Sequence, residues 1–125
     1  MKKKVVLSKD APKPSPYYSQ AIVANKFVFV AGTEGIHPKT GKYPRGVKEQ
    51  TRQTLLNIKA ILEAAGCTLK DVVKMNVHLV NISDYARMNE AYKPFFPNSP
   101  PARTVLSTNL PSPMLVNMDC VAMKK

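Results

Sequence analysis

The chain has no tryptophan, two cysteines and two histidines among its 125 residues, and only 8 acidic side chains against 19 basic ones. Each scarcity removes a class of function. Cys67 and Cys120 lie far apart in sequence and form no CxxC pair, so they read as buried, reduced thiols rather than a disulfide framework or a redox couple. His37 and His78 have neither cysteine nor carboxylate at ligand spacing, which points away from a metal. No apolar run approaches membrane-spanning length. Val5-Val6-Leu7 follows three lysines but is cut short by Ser8-Lys9-Asp10, too brief for the core of a signal peptide. The expectation is a cytoplasmic protein with no membrane partner.

The shortage of acids leaves a net charge of +11, which invites a nucleic-acid reading. However, Lys2, Lys3, Lys4, Lys9, Lys13, Lys124 and Lys125 sit near the two ends, and the other basic residues are scattered among acids. No basic strand interleaved with aromatics appears, and no RNA-recognition signature. Salt-sensitive, nonspecific attraction to polyanions is expected, without a specific nucleic-acid site.

What is present reads as one domain over residues 1–125. Val5 to Leu7 is a short strand candidate. Gln20 to Ala24 and Phe27 to Ala31 read as strands joined by the turn Asn25-Lys26, with Gly32 breaking the second. Thr51, Thr54, Leu55, Ile58, Ile61, Leu62 and Ala65 recur at helical spacing, and Gly66 ends that helix. Val72 to Val80 alternates, placing Val73, Met75, Val77 and Leu79 on one face and Lys74, Asn76 and His78 on the other. Ser83 is set to cap a second helix with Tyr85, Met88, Tyr92, Phe95 and Phe96 on its apolar face, weakened by Pro94. Asn89 falls beside that face and needs a partner, either a neighbouring backbone or a loop that shapes a pocket.

Arg103 to Ser107 is the next strand. In the last one Met114, Val116, Met118, Cys120 and Ala122 share a face, opposite Leu115, Asn117, Asp119 and Val121. The order β-β-β-α-β-α-β-β describes an α+β sandwich, a mixed sheet with two helices on one face. The other face is half apolar, as a face that meets another subunit would be.

Pro100-Pro101 fixes an extended backbone into Ala102-Arg103. A guanidinium on so stiff a mount suits bidentate binding of a small carboxylate, although most strand-edge arginines make surface ion pairs instead.

Several patterns together resemble the YjgF/RidA family. They are Pro16-Tyr17-Tyr18-Ser19-Gln20-Ala21, Pro38-Lys39-Thr40-Gly41, Glu49-Gln50-Thr51-Arg52-Gln53, the run from Asn57 to Gly66, Asn89-Glu90-Ala91-Tyr92, and Pro100-Pro101-Ala102-Arg103-Thr104. The resemblance extends from about Ala11 to Ala122. It implies a chorismate mutase-like fold, a homotrimer with clefts between subunits, and cofactor-free hydrolysis of small 2-imino acids to 2-oxo acids and ammonia.

On that resemblance Arg103 would hold the substrate carboxylate and backbone near Gly32 would contact the imine end. Tyr17 would wall the pocket, and Asn89 would secure the loop beside it. Asn117 stands where the family's deaminases carry a water-activating glutamate; it can position water but cannot take its proton. Asp119 lies one two-residue step further along. Thr33-Glu34-Gly35-Ile36 replaces a Gln-Ile-Pro run, and Val105 a small residue near the arginine. Three readings follow: a deaminase working with Asn117, with Glu34 or a backbone carbonyl as possible acceptor; a non-catalytic binder of small carboxylates; or an RNA-cleaving, translation-inhibiting protein.

Overall fold

Asn25, at φ 58°, turns the chain between β2 (Ala21–Ala24) and β3 (Phe27–Glu34), and the pair forms the expected hairpin. The structure, a computed structural model, describes residues 2–125. Among these, six strands make one mixed sheet, with β1 (Lys4–Val6), β4 (Val72–Leu79), β5 (Ala102–Ser107) and β6 (Val116–Met123) completing the order β1-β2-β3-β6-β4-β5. Only β4 and β5 run parallel. Between them the chain crosses over through α2 (Tyr85–Tyr92), as a parallel pair requires. Among the described residues no helix is long and apolar enough to cross a membrane.

α1 (Gly46–Ala64) packs on β3 and β6, and α2 packs alongside α1. The core between helices and sheet is built from the expected alternations: Met75, Val77 and Leu79 of β4 and Val116, Met118, Cys120 and Ala122 of β6 meet Leu55, Ile58 and Leu62 of α1. Gly66, at φ +83°, ends α1 in the left-handed conformation a side chain resists. Both thiols are free and buried, and burial pushes the Cys120 thiol up to about 12.

Four expectations are corrected. Gly32 does not end its strand: β3 runs on to Glu34, and the glycine sits in a register irregularity between Val30 and Thr33. A glycine in a bulge bends the strand without stopping its pairing. Val73 is exposed rather than core, because the β4–β6 register slips between Val72 and Lys74 and turns that side chain outward. Ser83 lies inside a 3-10 turn, Ile82–Asp84, so Asp84 rather than Ser83 precedes α2. Met114 precedes β6 and is not part of its buried row. Pro94 acts as expected: α2 stops at Tyr92 and continues only as the 3-10 turn Lys93–Phe95.

The apolar repeat of α1 gave no sign of its buried amides. Asn57 is fully buried; its Nδ2 donates to the carbonyls of Glu34 (2.9 Å) and Ile36 (2.8 Å), and its Oδ1 accepts from Gln53 (2.9 Å). Gln50 donates to Pro44 O and Pro113 O and accepts from the N–H of Leu115. At Gly35 a Cβ would lie 2.5 Å from the Gln50 carbonyl oxygen, so only glycine lets the chain leave β3 this close to α1. Replacing Asn57 with alanine strands two partly buried carbonyls, each worth up to about 1–3 kcal/mol. The variant is expected to unfold at a clearly lower urea midpoint with an unchanged slope.

Candidate functional site

Arg103 leaves the edge strand β5 on the helix side of the sheet, since it pairs with the buried Met75. There α2 receives it. Nη1 donates to Asn89 Oδ1 (2.8 Å), Nη2 donates to Tyr85 Oη (3.2 Å), and the guanidinium carbon lies 4.8 Å from the centre of the Tyr92 ring. Asn89 thus finds neither a backbone nor a loop as its partner but the arginine itself, which corrects the expectation. Tyr85, taken for an apolar-face residue, is exposed and serves as the second brace.

Contact with Asn89 and then the nearby guanidinium hold the Tyr85 phenol below its ordinary value. Burial pushes the Tyr92 phenol up, against the pull of Arg103. The ion pairs among the described residues join Lys48 to Glu90 and Arg87 to Asp84; none engages Arg103. The ordinary surface-pair reading of this arginine therefore fails. Its two protein bonds use two of five N–H donors, leaving three beside an open pocket lined by Asn89, Tyr92, Lys93, Pro100 and Pro101. A braced, unneutralised guanidinium of this kind has the fork geometry that pairs with carboxylates.

Asn117 lies elsewhere. It projects from β6 on the sheet face away from the helices, opposite in sense to the buried Val116 and Met118. Its cross-strand neighbours are Glu34 on β3 and His78 on β4. A Cβ on Gly32 would come within 2.9 Å of Asn117 Oδ1, so the glycine leaves the amide its space. Asn117 Nδ2 points to Met114 Sδ at 3.8 Å, a weak partner. The next acid along β6 is occupied: Asn76 donates to Asp119 Oδ1 at 2.7 Å.

Gly32, Thr33 and Glu34 also line a small pocket with Tyr18 and Gln20. The tyrosine beside Gly32 is thus Tyr18. Tyr17 is 94% exposed and walls nothing within its own subunit. The sequence signal that could have flagged Tyr18 was its place next to Tyr17 on the same loop.

The expected site residues therefore form two groups. Arg103 stands in register with Cys120, three residues and two strands from Asn117. That is roughly 10 Å along the strands and roughly 10 Å across them, with the side chains on opposite faces. One subunit brings Arg103 and Asn89 together, and Gly32 and Asn117 together, but does not join the two groups or add Tyr17. Among the described residues, no three of His, Cys, Asp and Glu converge as metal ligands.

The fold is a small α+β domain with a braced, unpaired arginine at one sheet edge and a polar row on the open sheet face. The chain belongs to the YjgF/RidA family: the Endoribonuclease L-PSP family model matches residues 8–124. It is 48% identical over 125 residues to a RutC family protein of Pyrococcus horikoshii, covering 98% of this chain and 99% of that one. It is 36% identical to the 2-iminobutanoate/2-iminopropanoate deaminase of Rattus norvegicus, covering 98% and 90%. The crystal structure of the E. coli YjgF gene product is similar at TM-score 0.93 and 32% identity, over 98% and 99% of the two chains.

Asn89→Asp places a carboxylate against Arg103 without changing shape. Its charge should compete with any bound anion by roughly the 1.5–3 kcal/mol of a charge-assisted hydrogen bond. Calorimetric titration with pyruvate is expected to show affinity reduced by about tenfold or more, with the melting temperature preserved.

Proposed function

We propose that the protein hydrolyses small 2-imino acids to 2-oxo acids and ammonia, in clefts completed by neighbouring copies of the chain. The observation that carries this reading is the unpaired Arg103, braced by Asn89 and Tyr85 and open to a carboxylate. Relatives named as deaminases, at 36–39% identity, two of them 2-iminobutanoate/2-iminopropanoate deaminases at 36%, support the same reaction type.

The substrate carboxylate would take two of the guanidinium's remaining donors, which fixes the position of the adjacent imine carbon. Water held at Asn117 adds to that carbon. The resulting carbinolamine loses ammonia and leaves the ketone. An iminium is already electrophilic, so orientation can supply much of the acceleration.

The separation of Arg103 from Asn117 within one subunit supports a shared cleft, in which one copy supplies the anchor and the next supplies Gly32, Asn117 and Tyr17. A surface for such contact exists. Val5, Ile22, Phe29 and Val121 form a continuous cross-strand row on the open face, flanked by Phe27 and Met123. Val5, Phe27, Phe29 and Met123 are 39–59% exposed in the isolated chain, an apolar patch that a homotrimer would cover.

The direct test is release of 2-oxo acid from enzymatically generated 2-aminoacrylate. Wild type is expected to accelerate it, and Arg103→Lys to lose most of the activity because a point charge does not reproduce the planar fork. No acceleration by wild type, with 2-oxo acid still bound, would leave a carboxylate-binding protein.

Sharing of the cleft is tested by mixing. Arg103→Ala and Asn117→Leu, each inactive alone, are expected to recover about one quarter of wild-type activity when unfolded and refolded together, the fraction of intact sites in randomly mixed cyclic trimers. No recovery from well-assembled mixtures would place both groups in one subunit's site.

A further inference from the structure

The reaction assigned above needs a group that accepts the proton of the attacking water, and Asn117 has no basic atom for it. The cross-strand register supplies a candidate on the neighbouring strand. Glu34 pairs directly with Asn117 across β3 and β6, so the two side chains share the open sheet face with Cβ atoms roughly 4.5–5.5 Å apart. His78, on the far side of Asn117, completes a carboxylate–amide–imidazole row over three adjacent strands.

Glu34 is held in place. Asn57 ties down its carbonyl, and Gly35 lets the following chain pass against α1. Among the described residues Glu34 has no ion-pair partner, while the other acid on this face, Asp119, is hydrogen-bonded by Asn76.

We infer that Glu34 is the general base of this protein: Asn117 holds the water, and Glu34 takes its proton from across the strand pair. The inference rests on the deaminase reading. In the first step the water oxygen bonds to the imine carbon, the C=N π pair moves to nitrogen, and one water proton passes to the Glu34 carboxylate. The product is a neutral carbinolamine. In the second, Glu34 returns that proton to the amine and the C–N bond breaks. The remaining hydroxyl proton goes to the departing ammonia as C=O forms, so iminium and water become ketone and ammonium.

A group that takes and returns a proton in one cycle works best with a pKa near the operating pH. Burial pushes the Glu34 carboxyl above the ordinary carboxylate range, in that direction. Tyr43 feels its charge as well: burial first, and then Glu34, raise that phenol.

The experiment compares wild type, Glu34→Gln and the double variant Glu34→Gln/Asn117→Glu in the 2-aminoacrylate assay, with melting temperature and pyruvate affinity measured for each. Glu34→Gln keeps shape and hydrogen bonding but has no base. It is expected to lower kcat by about 10²-fold or more, the usual worth of general acid–base help, with KM and pyruvate affinity nearly unchanged. The double variant moves the carboxylate one strand over and is expected to regain most of the lost kcat.

Near-normal kcat in Glu34→Gln would overturn the role of Glu34 and leave the deaminase reading standing. A lowered melting temperature or pyruvate affinity in Glu34→Gln, with a double variant just as slow, would overturn it too, by tracing the loss to altered packing rather than a missing base. A wild type that binds pyruvate but gives no acceleration would remove the reaction itself, and this inference with it.

Discussion

The grip of α1 on the end of β3 holds the rest of the site in place. Asn57, buried in the helix, donates to two carbonyls and accepts from Gln53 at once, and its two carbonyl partners flank Gly35. A buried amide so fully paired has one low-energy arrangement, because any shift leaves a polar group without water or partner. The segment from Gly32 to Ile36 is therefore positioned by the core. Gln50 does the same for the loop entering β6, through Pro113 and Leu115. The helix that looks like an apolar slab in sequence is also the frame for the two strands that carry Glu34 and Asn117.

At the other edge the logic is electrostatic. Arg103 is braced by neutral acceptors and aromatic faces rather than by a carboxylate. That arrangement orients the guanidinium while leaving its charge unspent. An acid at position 89 would have neutralised that charge within the chain. Under the proposed function, the braced guanidinium at one edge and the polar row on the opposite face would complete a cleft where copies of the chain meet. The apolar row Val5–Ile22–Phe29–Val121 offers the contact that would bring them together.

Local reading of the sequence worked where structure is decided by neighbours along the chain. The Asn25-Lys26 turn, the faces of β6 and α1, the stop at Gly66 and the break at Pro94 all follow from backbone preferences and periodicity. It went astray where pairing between strands decides the outcome. Val73 reads as core in any two-residue alternation, yet a slip in the β4–β6 register turns it to solvent. Gly32 reads as a terminator, but its partner strand carries β3 past it.

The site divides along the same line. By itself the sequence determined the type of fold and the stiff mount of Arg103, and it marked Gly32, Asn89 and Asn117 as candidates, because residue chemistry and local stiffness are written residue by residue. Tertiary structure alone decided that Asn89 and Tyr85 brace the arginine, that Glu34 and His78 flank Asn117, and that Arg103 and Asn117 face away from each other. Those relations depend on strand order, register and face. These are set by the packing of the whole sheet against α1, and no short stretch of sequence carries them.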